Sequence, residues 1–174
     1  MSFLIGYKVT VAQKDDIEGV LSLLKDVAHH LKEKGSKQWE TLLNGEEDHE
    51  LIKAIEQEQT YIVKKENATI ATFTIYPHAS DWDKMLWKGD GEAVYLHKLA
   101  ISPNEAGKGL GQQILSWLEN NLRKKEIYKL RLDCIGDNEK LNRFYDNAGF
   151  QKIGNSHGFS LYEKNLKQSL SQKR

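Results

Sequence analysis

Three glycines alternate at Gly107, Gly109 and Gly111, and an apolar series at Leu110, Ile114, Leu115, Leu118 and Leu122 follows at helical spacing. The spacing predicts a helix that starts inside the glycine run. The first N–H groups of a helix have no partner within it. Ser, Thr, Asp or Asn usually supplies one at the N-cap, but Ala106, Gly107 and Lys108 stand here. Open amides, the positive end of the helix dipole and glycines without a Cβ make a site for an anion. The preceding Val94-Tyr-Leu-His-Lys-Leu-Ala-Ile101 alternates as a strand does and stops at Ser102-Pro103. Strand, glycine turn and helix are together expected to hold a phosphate.

Two familiar phosphate motifs do not fit. A P-loop needs Gly-Lys followed by Ser or Thr, whereas Leu110 follows Gly109 and no Lys-Ser or Lys-Thr pair is at hand. A dinucleotide fingerprint needs Gly-x-Gly-x-x-Gly, and the third glycine comes one residue early. A glycine-rich turn on its own can simply reverse the chain, so the downstream sequence decides.

A chain of 174 residues is expected to form one domain with a real core. Lys and Arg number 25 against 25 Asp and Glu, so no electrostatic footprint for nucleic acid or an anionic membrane stands out. No apolar run reaches the roughly 20 residues of a membrane span, and Met1 to Lys8 lacks the basic start of a signal peptide. A single cysteine, Cys134, excludes an internal disulfide and suits a reducing compartment. A cytoplasmic protein follows as the expectation. The histidines show no zinc-type spacing, and His29-His30 reads as a solvated pair; no metal is expected.

Along the chain, 5–11 predicts a first strand, and Asp15-Asp16 opens an amphipathic helix that stops at Gly35. A second helix is expected over 46–57, then a hairpin of 60–64 and 69–76 turning at Glu66-Asn67. Residues 78–91 read as a polar loop carrying Trp82, Met85, Leu86 and Trp87, either a lid on the core or a binding loop. Trp39 could equally seal the core or line a pocket. A strand over 128–135, a short helix from Asn138 to Gly149 and strands over 150–154 and 159–163 complete the order, and the tail 165–174 is expected to fray. Hairpins first and strand–helix alternation later predict an α/β chain with a mixed sheet and helices on both faces.

Two blocks, Leu99-Ala-Ile-Ser-Pro-Asn-Glu-Ala-Gly-Lys-Gly-Leu-Gly111 and Leu132-Asp-Cys-Ile-Gly-Asp-Asn-Glu-Lys-Leu-Asn-Arg-Phe-Tyr-Asp-Asn-Ala-Gly-Phe150, resemble the GNAT family of acetyltransferases over nearly the whole chain. The resemblance implies a mostly antiparallel twisted sheet of about six to seven strands. It implies acetyl-CoA as co-substrate, with the pyrophosphate on the amides of Gly107, Lys108, Gly109, Leu110, Gly111 and Gln112. The pantetheine arm would lie along Leu99, Ala100 and Ile101 and be met by Asn138, where the strand carrying Cys134 splays away. One departure is Ala106, where the family usually has Arg or Gln; this would weaken the pyrophosphate contacts rather than abolish them.

The activity implied is acetyl transfer to a primary amine of a small molecule or peptide by direct attack in a ternary complex. Tyr145 matches the family's acid for the departing thiolate, with a core tyrosine as the rival reading. A backbone N–H near Leu99 would meet the oxyanion. Strand alternation puts Tyr95 and His97 on one face. The strand resembles the His-x-His-x-Leu-Ala-Val strand of arylalkylamine acetyltransferases, which nominates Tyr95 and His97, with His97 as base and Glu92 as the weaker candidate. A coenzyme A-binding sensor or regulatory module without catalysis is the alternative, and a homodimer is left open.

Overall fold

A computed structural model of the chain describes residues 5–88 and 92–167. Its elements run β1 (Lys8–Val11), α1 (Ile17–Glu33), α2 (Asp48–Glu56), β2 (Thr60–Lys65), β3 (Ala68–Tyr76), α3 (Asp81–Trp87), β4 (Val94–Ile101), α4 (Leu110–Lys124), β5 (Lys129–Ile135), α5 (Glu139–Asn147), β6 (Gln151–Ser156) and β7 (Phe159–Asn165). Seven strands form a sheet in the order β1-β2-β3-β4-β5-β7-β6. β1–β2, β2–β3, β5–β7 and β6–β7 pair antiparallel, while β4 and β5 pair parallel. A mixed sheet flanked by helices is what the element order predicted.

Contacts of the described residues gather into two compact units, one within 1–75 and 98–114, the other within 76–97 and 115–174. In the first, Val20, Leu24 and Ala28 recur every four residues on α1, so one helical face is apolar. They are buried with Leu51 and Ile55 of α2, Ile62 of β2 and Ala100 of β4. Each Val, Leu or Ile among them contributes about 1.5–3 kcal/mol by leaving water.

In the second unit, Leu130, Leu132 and Cys134 of β5 face one way, and Arg131 and Asp133 the other, because successive strand side chains alternate. Tyr162 of β7 pairs with Leu132, and the Tyr145 ring on α5 lies 5.8 Å from the Tyr162 ring; α5 therefore covers the Cys134 face. Tyr95 pairs with Arg131 and is buried with Leu86 and Trp87 of α3 and Leu161 of β7, so α3 covers the opposite face.

Two expectations are corrected. The stretch expected to be a loop contains α3, begun by a capping box in which the Ser80 hydroxyl accepts from the Asp83 N–H at 3.2 Å and the Asp83 carboxylate accepts from the Ser80 N–H at 3.0 Å. Reciprocal capping satisfies amides that a short helix otherwise leaves open. The tail does not fray at 165 either. Asn165 ends β7, and Leu166 is buried, its N–H donating to the Tyr128 carbonyl at 2.7 Å and its carbonyl accepting from Arg123 Nε at 2.8 Å. Residues 168–174 lie outside the described residues.

Candidate active site

The glycine turn has the expected form. Gly107 and Gly109 sit at φ +80° and +73°, in the left-handed region that favours glycine, and a Cβ at either would meet nothing within 4 Å. α4 begins at Leu110, and its first backbone bond of helical type runs from Gln113 N–H to the Gly109 carbonyl at 3.3 Å. The amides of Leu110, Gly111 and Gln112 have no backbone acceptor among the described residues. Lys108 is anchored beside them, Nζ donating to Glu105 Oε2 at 3.3 Å. Glu105 also accepts from the Tyr7 hydroxyl at 3.2 Å and lies 3.7 Å from Lys65 Nζ. Burial pushes the Glu105 carboxyl up, but the hydrogen bond and charge of Lys108, with Lys65 and Tyr7, outweigh it and hold the pKa below the ordinary value. The open space and free donors suit a pyrophosphate.

On β4, Ala100 is buried while Leu99 and Ile101 are half-buried on the other parity. Lys98 departs from the extended conformation inside β4, with φ +54°, its Nζ 3.1 Å from Glu47 Oε1 and over the Trp39 ring. β4 and β5 pair only at Val94–Leu130 and Tyr95–Arg131, although β5 runs on to Ile135; the parallel strands part after Tyr95. Asn138 is the N-cap of α5, Oδ1 accepting from the Leu141 N–H at 3.0 Å. Its amide NH2 is left to donate to a ligand, beside the second lone pair of Oδ1.

The face of β5 under α3 gathers a polar group that the sequence did not bring together. Asp83 is 1% exposed. Its carboxylate accepts from Ser80 N–H and Oγ and from His97 Nε2, the last at 2.9 and 3.0 Å to its two oxygens. The His97 ring also lies 5.0 Å from the Tyr76 ring. Asp133 offers an oxygen within 4.8 Å of ligand atoms of both Asp83 and His97. The Trp82 indole N–H donates to Asp133 at 3.2 and 3.3 Å, its ring edge-on to Phe159. Trp82 and Met85 remain exposed beside it. The three-residue group Asp83, His97 and Asp133 could hold a metal ion among the described residues, but an ion would have to displace the hydrogen bond that Nε2 already makes.

Missed in the sequence were Asp83 and Asp133, whereas Trp82 stood out as an aromatic of the loop. The Ser80-x-x-Asp83 capping signature was there to find. Nothing local marks Asp133.

Tyr145 lies on the opposite face of β5, buried against Phe144, Phe150 and Tyr162. Burial, then the nearby Cys134 and Asp133, push its phenol well above the ordinary value. The hydroxyl makes no hydrogen bond to a described residue, yet it is not among the sealed polar atoms without a partner. Cys134 is buried, its thiol pushed up to about 12 chiefly by burial.

Tyr95 shares the face of His97 as expected, but its position does not suit a catalytic group. It is 3% exposed, and its hydroxyl accepts from Arg131 Nη1 at 2.9 Å. Arg131 in turn donates to Glu163 at 2.8 Å and stacks 4.5 Å from the Trp87 ring centroid. Tyr95 is a fastener for a buried cation. Glu92 is exposed ahead of β4.

The Acetyltransferase (GNAT) family model matches residues 24–150. The "Uncharacterized N-acetyltransferase YesJ" of Bacillus subtilis (strain 168) is 36% identical over 92% of this chain and 91% of its own length. A GNAT-family acetyltransferase from Listeria monocytogenes 4b F2365 superposes with a TM-score of 0.81 at 34% identity, covering 91% of this chain and 94% of that one. The fold is shared further by PaiA N-acetyltransferase from Thermoplasma acidophilum, solved in complex with coenzyme A, with a TM-score of 0.75 at 16% identity over 91% and 98% of the two chains. The glycine turn at α4, the parted strands β4 and β5 and these likenesses converge: the chain belongs to the GNAT family of acetyltransferases and is an N-acetyltransferase.

Proposed function

We propose that the protein moves the acetyl group of acetyl-CoA to a primary amine of a small molecule or peptide by direct attack in a ternary complex. The observation that carries the reading is the open turn 107–112, whose free amides and empty Cβ positions offer an anion site at a helix N-terminus. Coenzyme A in the structure of the Thermoplasma relative supports the same ligand. Acetyl-CoA supplies the acetyl thioester. Gly107 to Gln112 and Lys108 hold the pyrophosphate, the edges of Leu99 and Ile101 guide the arm, and the Asn138 amide donates to it.

His97 takes the proton from the amine as its nitrogen bonds to the acetyl carbon, and the carbon–sulfur bond breaks. The Leu99 N–H, just past the left-handed Lys98, donates to the oxygen that gains charge. Tyr145 hydrogen-bonds the departing thiolate. Its raised pKa makes full proton transfer steeply uphill, so donation stabilises the sulfur and a solvent proton completes the thiol. Holding amine and thioester together supplies much of the rate.

Two measurements test the reading. Acetyl-CoA raises the melting temperature of the wild type, because a ligand of the folded state stabilises it by mass action, and Gly109→Asp abolishes the rise. A panel of primary amines with acetyl-CoA then releases free thiol; a thermal shift without thiol release from any amine would leave a coenzyme A sensor instead.

A further inference from the structure

We infer that Asp83 is a positioning residue: it fixes the tautomer of His97 so that Nδ1 is the atom that accepts the proton. The inference rests on the reading of His97 as base. A carboxylate only accepts hydrogen bonds, so the contact at 2.9 Å requires the proton of neutral His97 to sit on Nε2. Nδ1 then carries the lone pair. Among the described residues Nδ1 has no hydrogen-bond partner, and it is not a sealed atom; the side chain is 16% exposed. One nitrogen is tied to the protein and the other is open.

Asp83 is itself held. Ser80 N–H and Ser80 Oγ both donate to Oδ2, at 3.0 and 2.9 Å, so the helix cap that starts α3 orients the carboxylate that orients the imidazole. The groups facing His97 are Asp83 from α3, Asp133 from β5 and the Tyr76 ring from β3. Of these, only Asp83 is hydrogen-bonded to the ring.

The geometry makes Asp83→Asn a pointed test. The two Ser80 donors claim the single amide oxygen at the Oδ2 position, which turns the new NH2 toward Nε2. That NH2 donates, so Nε2 must become the acceptor and the proton must move to Nδ1. The same side-chain volume then presents a donor where the amine needs an acceptor.

The experiment combines ¹⁵N spectra of the His97 imidazole with steady-state kinetics on one amine and acetyl-CoA. The wild type is expected to show a protonated Nε2 and an unprotonated Nδ1 in its neutral form. Asp83→Asn is expected to reverse that assignment and lower kcat by roughly 10² to 10⁴, the range for one acid–base group, with KM for the amine changed only a few-fold. Ser80→Ala removes one of the two donors that hold Asp83 Oδ2: it is expected to lower the melting temperature and to lower kcat by less than Asp83→Asn does, with the proton still on Nε2 because the carboxylate remains. Asp83→Asn with the wild-type spectrum and kcat, or a fall in melting temperature alone, would overturn the inference. So would Nδ1–H in the wild type, which needs no variant to fold. His97→Ala is read separately: if it keeps most of the rate, the base reading falls, whereas loss there with normal turnover in Asp83→Asn sinks the positioning role alone.

Discussion

At the scale of single residues, two tyrosines nominated from the sequence for different reasons separate by what their hydroxyls touch. The Tyr145 hydroxyl has no protein partner among the described residues and is not sealed off, so removing it leaves no buried donor or acceptor stranded. Tyr145→Phe is expected to lower kcat roughly 10²-fold, as loss of a hydrogen-bond donor to developing charge does, with coenzyme A affinity and melting temperature nearly unchanged; single-turnover thiol release and a melting curve check it. The Tyr95 hydroxyl accepts from a buried guanidinium. Tyr95→Phe strands one Arg131 N–H and is expected to cost about 1–3 kcal/mol of stability while kcat holds, as denaturant unfolding and the same thiol assay would show.

Among the elements, β4 and α4 were legible because their signals are local. Val94 to Ile101 alternates, and the glycines place the start of α4 within a residue. Alternation also put Tyr95 and His97 on one face, where α3 now covers both. α3 itself was not read: seven residues give too little periodicity, and Trp and Met in a polar stretch resemble a binding loop. Its capping box was the available sign. Asp83 reaches His97 across fourteen positions of sequence, and Asp133 sits on a strand whose pattern says only which way it faces. Neither pairing is a local property. Asn138 shows the converse, a position that the sequence marks plainly and whose oxygen is drawn toward the cap of α5, so that its NH2 is the freer group.

For the whole molecule, proton binding to buried acids sets the alkaline limit. Burial, followed by Asp133, pushes Cys134 from 9.0 to about 12, and burial, followed by Asp146, pushes Tyr162 from 10.0 to about 12. The folded chain keeps protons that the unfolded chain would release, so this stability is intact below about pH 9 and is lost as pH climbs toward 12. The melting temperature is expected to fall steadily from pH 9 upward, and Cys134→Ala to flatten the first part of that fall in a differential scanning series.

α3 stands apart in such a molecule. It is seven residues long, about two turns, and short helices open locally well before a domain unfolds. Each opening that breaks the Ser80 cap would also release the carboxylate from His97. Turnover and the exposure of a few amides therefore draw on one equilibrium. Warming should silence the enzyme several degrees before its circular dichroism changes, with exchange of the Asp83 and Lys84 amide hydrogens quickening over the same interval.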